Sequence, residues 1–217
     1  SITGNTVRNH TRSAAWAACG ILVDNSDGVY VTDNTVLNTF YAIYIGYADN
    51  CTVSGNILTD NIKRAISLDT ANNNTISDNT ITGPTAGTDD VGIGLDNNCA
   101  NNMLGGITPA AGNIITMATS GTGNLYAIYM QALVGANNNT ISYNTITGGQ
   151  RAVQFDGPPG ITGTTTISNN TISGQTFGGI VANNNGSLVI NNNTLTNTTR
   201  PMEFWGPVNV TITGNTI

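Results

Sequence analysis

Apolar and polar residues alternate along this chain in short bursts, each closed by Gly, Asn or Asp. The commonest burst fits [IV]-x-x-N-x-[IVL]: SITGNTV, VTDNTV, VSGNIL, ISDNTI, a degenerate AAGNII, ISYNTI, ISNNTI, INNNTL and ITGNTI. Its pivot asparagines are Asn5, Asn34, Asn56, Asn79, Asn113, Asn144, Asn170, Asn193 and Asn215, spaced by 29, 22, 23, 34, 31, 26, 23 and 22 residues. The minimal unit is therefore about 22 to 23 residues, the longer units carry insertions, and about eight units fill the chain. A second apolar element recurs inside each unit: GILVD, AIYIG, AISLD, GIGLD, AIYMQ, AVQFD, GIVAN and PMEFW. Period-2 alternation in pieces this short, broken by turn residues, predicts three strands per unit and no helix.

Such a unit cannot bury its apolar face alone, but copies stacked at about 4.8 Å pair each strand with its equivalents above and below. The predicted fold is all-β, a parallel solenoid of about eight coils forming one domain over residues 1–217. Positions −5, −3 and +2 from each pivot then face inward: Val53, Ile76, Ile141, Ile167, Ile190 and Ile212 make one apolar column, and Ile81, Ile146, Ile172 and Leu195 another. Cys51 falls in the −5 column with Asn74, Asn139 and Thr165, which predicts a core thiol. The three cysteines, Cys19, Cys51 and Cys99, sit in different columns, so no disulfide framework is expected. The pivot Asn is placed at a sharp bend, where it tolerates an unusual backbone angle and stacks into an asparagine ladder.

The N-x-x-I-S-x-N-T-I unit with its following G-I-x-L resembles the right-handed parallel β-helix repeat of pectate-lyase-like enzymes, phage tailspikes, NosD-like periplasmic proteins and many prokaryotic surface proteins. The resemblance covers essentially the whole chain. It implies the right-handed β-helix and leaves function open, since unrelated activities share the scaffold.

Composition narrows the partners. The chain has 33 Asn and 26 Gly but only 8% charged residues, with 39% apolar ones. A net charge of −6, and six Lys and Arg without a basic run, exclude a nucleic-acid partner. No stretch approaches the roughly 20 apolar residues of a membrane span, so no membrane insertion is expected. Nine Asn-x-Ser/Thr sequons, at Asn9, Asn50, Asn73, Asn138, Asn169, Asn185, Asn192, Asn197 and Asn209, fit an extracellular or cell-surface setting.

In enzymes of the resembled group the substrate groove lies on one strand face, which directs attention to the outward residues of G-I-x-L. One outward column reads Leu22, Tyr44, Ser67, Gly94, Tyr129, Gln154, Val181, Glu203, and the next Asp24, Gly46, Asp69, Asp96, Gln131, Asp156, Asn183, Trp205. Asp69 and Asp96 fall on adjacent coils at about 5 Å, flanked by Tyr44 and Tyr129. This is a candidate carbohydrate site: Tyr44, Tyr129 and Trp205 stack on sugars, while the two carboxylates act as catalytic acid and nucleophile or hold calcium. Lys63 and Arg64 on the third coil and Asp89 and Asp90 on the fourth lie at the entrance to the same strand and are further catalytic candidates. Asp89-Asp90 resembles the paired aspartates of polygalacturonase-like hydrolases, but the N-T-D, G-H-G and R-x-K companions are absent. His10, the single histidine, is far from these coils and cannot be their base.

No cofactor is predicted, Ca2+ being the one candidate ion. The NosD-like resemblance implies copper, yet Met103, Met117, Met130, Met202, the cysteines and His10 show no ligand spacing.

Three functions compete. The leading one is a structural or adhesive surface module that contacts a glycan or polysaccharide and forms filaments; the second is a polysaccharide lyase or glycoside hydrolase. The third is an ice-binding protein using outward threonines such as Thr75, Thr80, Thr140 and Thr145, although Thr also simply suits exposed strands. Because SITGNTV and TITGNTI open and close the sequence at the same phase, the expectation is a longer solenoid or end-to-end self-association, Ile212 and Ile217 meeting Ile2 and Val7 of the next copy.

Overall fold

The computed structural model describes residues 1–11, 18–83, 90–120, 123–132, 138–157, 163–183, 186–206 and 209–217. Among these, 25 strands form three parallel sheets of nine, eight and eight strands, and the one helical element is a 3-10 turn, Pro109–Ala111. Each sheet collects every third strand along the chain, with the same strand of successive coils side by side. The expected solenoid is thus the observed one.

The core is built from in-register columns. Val31, Val53, Ile76, Leu104, Ile141, Ile167 and Ile190 align across the first sheet. Val36, Leu58, Ile81, Ile115, Ile146, Ile172 and Leu195 align across the second. All are buried, and each contributes about 1.5 to 3 kcal/mol of hydrophobic stabilisation. The degenerate fifth unit keeps the pattern through Met103–Gly105, which pairs with both neighbours. Its extra residues, 106–112, are placed between that strand and Asn113.

At the bend between the first and second sheets, each pivot Asn donates its backbone N–H to Oδ1 of the next pivot at 2.8–3.1 Å, over all eight steps from Asn5 to Asn215. Its Nδ2 bonds the same Oδ1. From Asn34 onward Nδ2 also bonds a first-sheet carbonyl one coil back, such as Leu104 O from Asn144 at 2.9 Å. The ladder satisfies buried backbone groups that the sharp turn removes from the sheets.

The unusual backbone angle is not at the pivot, however. It belongs to the residue before it: Asp33, Asp78, Tyr143, Asn169 and Asn192 have φ of 54–59°, a region that Asn and Asp occupy most readily among residues with a side chain. A second ladder runs through the −5 column, where Cys51 N–H bonds Asn74 Oδ1, Asn74 N–H bonds Asn102, and Asn102 N–H bonds Asn139. Cys51 is the buried thiol expected, and none of the three cysteines forms a disulfide.

In the third sheet the period-2 rule breaks once per strand. Ile43, Ile66, Ile93, Ile128, Val153 and Ile180 are buried, but so are Ala42, Ala65, Ala127 and Ala152 immediately before them. Two consecutive inward residues mean a bend, and the outer member is small for a steric reason. A Cβ at Gly92 would lie 2.5 Å from Ala127 O and 3.1 Å from the core side chain Ile115. The bend turns the preceding residue outward, giving a third outward column: Cys19, Tyr41, Arg64, Val91, Tyr126, Arg151, Gly178, Arg200.

Candidate functional site

Both outward columns read from the sequence exist as read, with Ser67 beside Gly94, Gly94 beside Tyr129, and Asp69 beside Asp96. The third column changes what lies over them. Arg64 enters the space above Gly94, where a Cβ would come within 2.7 Å of its Nη1. There it donates to Ser67 Oγ at 3.1 Å and forms an ion pair with Asp96. The notch expected between Tyr44 and Tyr129 is therefore filled by a guanidinium, which pairs with Asp96. Asp90 is fully buried; Asp89 lies outside the described residues.

Asp69 is 7% exposed. Tyr44 OH donates to its Oδ2 at 2.8 Å, and Thr70 Oγ1 and Asn97 Nδ2 donate to its Oδ1. The Tyr44 ring lies across Gly46, whose Cβ would be 2.7 Å from Cε1. Burial, followed by the hydrogen bond to Asp69, pushes the Tyr44 phenol up, so it keeps its proton and acts as donor. Tyr44 thus positions Asp69 and offers little ring surface.

Tyr129 is half-buried and stacks on Tyr126 with centroids 4.9 Å apart and planes within 14°. Burial, and then Asp156, raise its phenol as well. Asp156 is also held by Gln154 Nε2 at 2.8 Å and Asn183 Nδ2 at 2.6 Å. Tyr126, Tyr129 and Asp156, together with Lys63, Arg64 and Gln131, line a groove of about 360 Å³. A second groove of about 510 Å³ continues along the axis between Arg151, Gln154, Phe177 and Trp205. Trp205 is 56% exposed. The sequence reading missed Tyr126 and Arg151, because strict alternation assigns the bend column to the core, the small residue after each being the available signal; it also missed Phe177, which precedes that column's Gly178.

Metal sites fare differently. Among the described residues no three His, Cys, Asp or Glu side chains come together as a metal site would require, and Asp69 and Asp96 already accept hydrogen bonds from four side chains. Calcium gains no support there. Copper does not fit the described residues: Met117 and Met130 are core side chains and His10 is exposed at the N-terminal edge. Burial pushes the Cys99 thiol up to about 12 and the Cys19 thiol to about 11, far from the thiolate a soft metal needs.

No described helix is long and apolar enough to cross a membrane. The family model described as periplasmic copper-binding protein (NosD) matches residues 1–124, and that described as right handed beta helix region matches residues 160–217. Among solved structures, the periplasmic alginate epimerase AlgG is similar at 15% identity and a TM-score of 0.62, over 86% of this chain and 50% of that one. A mutant of AlgG gives 14% identity and a TM-score of 0.64 over the same shares. The chain therefore spans about half the length of these structures, and the likeness is one of fold. No curated protein matches significantly.

Proposed function

The chain belongs to the family described as periplasmic copper-binding protein (NosD), and from that premise we propose that it is an extracytoplasmic β-helix that holds a glycan on the outward face of its third sheet without transforming it. The observation that carries the reading is the groove in which the stacked Tyr126–Tyr129 pair is ringed by Lys63, Arg64, Gln131 and Asp156. An aromatic surface set among mixed donors and acceptors suits a pyranose, whose apolar face stacks and whose hydroxyls need both kinds of partner. Trp205 supplies a second platform farther along. Structural neighbours such as the alginate epimerase act on polysaccharide, which supports a glycan over other ligands.

Affinity electrophoresis against a panel of neutral and acidic polysaccharides tests this. Retardation by at least one polymer, reduced by Tyr129→Ala, is the expected result. Absence of retardation across the panel overturns the reading. Turnover of any polymer moves the site to the lyase or hydrolase alternative, which the side-by-side register of Asp69 and Asp96 keeps open. Asp69→Asn and Asp96→Asn then decide whether those carboxylates perform the chemistry.

A further inference from the structure

Three guanidiniums lie on the outward face of the third sheet, and two have their charge met. Arg64 pairs with Asp96, and Arg200 pairs with Glu203 at 2.7 Å. Arg151 differs: among the described residues no carboxylate lies within ion-pairing distance. It is half-buried, its Nε is enclosed without a hydrogen-bond partner, and its Nη1 reaches only Tyr126 OH at 3.3 Å. Its guanidinium lies 4.2 Å from the centre of the Phe177 ring, which Arg200 approaches at 4.7 Å. Such cation–π contacts return less than the solvation a half-buried cation surrenders.

A second observation lies in the same groove. Gln154 is 2% exposed and spends its Nε2 on Phe155 O and Asp156. The nearby carboxylates are already held: Asp156 by Tyr129, Gln154 and Asn183, and Glu203 by Arg200. The groove thus presents a guanidinium without a carboxylate partner and the open indole of Trp205.

We infer that this groove is a distinct subsite for a carboxylate-bearing sugar unit: Arg151 takes the carboxylate and Trp205 stacks on the ring. A planar carboxylate matches the guanidinium fork better than a hydroxyl does. Arg151 stands one rung from Tyr126, about 4.8 Å along the axis, so a sugar chain seated over Tyr126 and Tyr129 reaches it with its next units. The inference rests on the glycan reading of the neighbouring groove and adds the acidic group.

The test is isothermal calorimetry of the full chain with an oligouronate, its carboxyl-reduced neutral form, and that neutral form sulfated. The acidic oligomer should bind roughly tenfold or more tighter than the neutral one, the usual worth of a hydrogen bond to a charged group. Arg151→Gln should erase that preference, while Tyr129→Ala should weaken the acidic and neutral forms alike. Trp205→Ala, an exposed change with little consequence for folding, should weaken the acidic form and provides a second check should the Arg151 variant misfold. Equal binding of acidic and neutral forms overturns the carboxylate subsite while leaving the glycan reading intact. Sulfated binding as tight as carboxylated overturns the assignment to a planar carboxylate, and failure of all three oligomers overturns both readings.

Discussion

The bend between the first and second sheets and the outward face of the third are both lined with polar side chains, yet they solve opposite problems. At the bend every coil repeats one residue, and each Asn finds the same partners above, below and behind. On the face no two neighbouring coils carry the same trio of outward residues. Several polar atoms there, among them Asp96 Oδ1, Arg151 Nε and Gln154 Oε1, are enclosed without a partner. Buried polar groups left unmet are expensive and uncommon, and they collect on the face where the coils differ. Repetition builds the scaffold, and the departure from it is where we propose the site.

That contrast predicts a ranking of stability effects, the largest at the bend. Asn144→Ala strands the Asn113 backbone N–H and one of the two N–H groups of the Asn113 amide and removes the bond to Leu104 O, each about 1 to 3 kcal/mol when buried unmet. A loss of about 3 to 5 kcal/mol in urea unfolding is expected, and a loss below about 1 kcal/mol would show the ladder to be ornamental. Next in size is alkaline destabilisation. The Cys99 thiol is raised by burial from 9.0 to about 12, so its contribution is intact below pH 9.0 and is lost as pH rises through about 12. The total is a few kcal/mol at about 1.4 kcal/mol per pH unit. Tyr44 and Tyr129, raised for the same primary reason, deepen the fall above pH 10. Cys99→Ala should flatten the pH 9 to 12 portion of a thermal-melting profile, and an unchanged slope would remove the thiol from the account.

Smaller still is the ion pair on the face. Arg64→Met leaves the Asp96 carboxylate without its guanidinium in a largely covered site, and about 1 to 3 kcal/mol of unfolding free energy should be lost. At the bottom of the ranking, Trp205→Ala should change stability by no more than about 0.5 kcal/mol while weakening glycan binding. Were it to destabilise like Asn144→Ala, the face would be scaffold as well.

The same contrast explains what could be read from the chain. Pivot asparagines and inward Ile columns were legible because their period is constant and their chemistry uniform. The outward columns of G-I-x-L were legible for the same reason, and their pairing of Asp69 with Asp96 stands. Arg64 over Gly94 was not, since a bend at Ala65 reverses the facing of the residues before it and alternation carries no record of that. Nor was the site of the fifth coil's insertion, because AAGNII supplies a pivot without its usual strand, which Met103–Gly105 provides earlier in the chain. The role of Tyr44 depended on the ring folding across Gly46, a consequence of two neighbouring rungs that no single column contains.

The central claim is that a glycan occupies the third-sheet face, and hydroxyl-radical footprinting of the protein with a retarded polysaccharide tests it most directly. Tyr129 and Trp205 should become protected, while Tyr30 and Tyr47, exposed at 58% and 55% away from both grooves, keep their reactivity. Protection of Tyr30 or Tyr47 with Tyr129 and Trp205 unchanged would contradict the account.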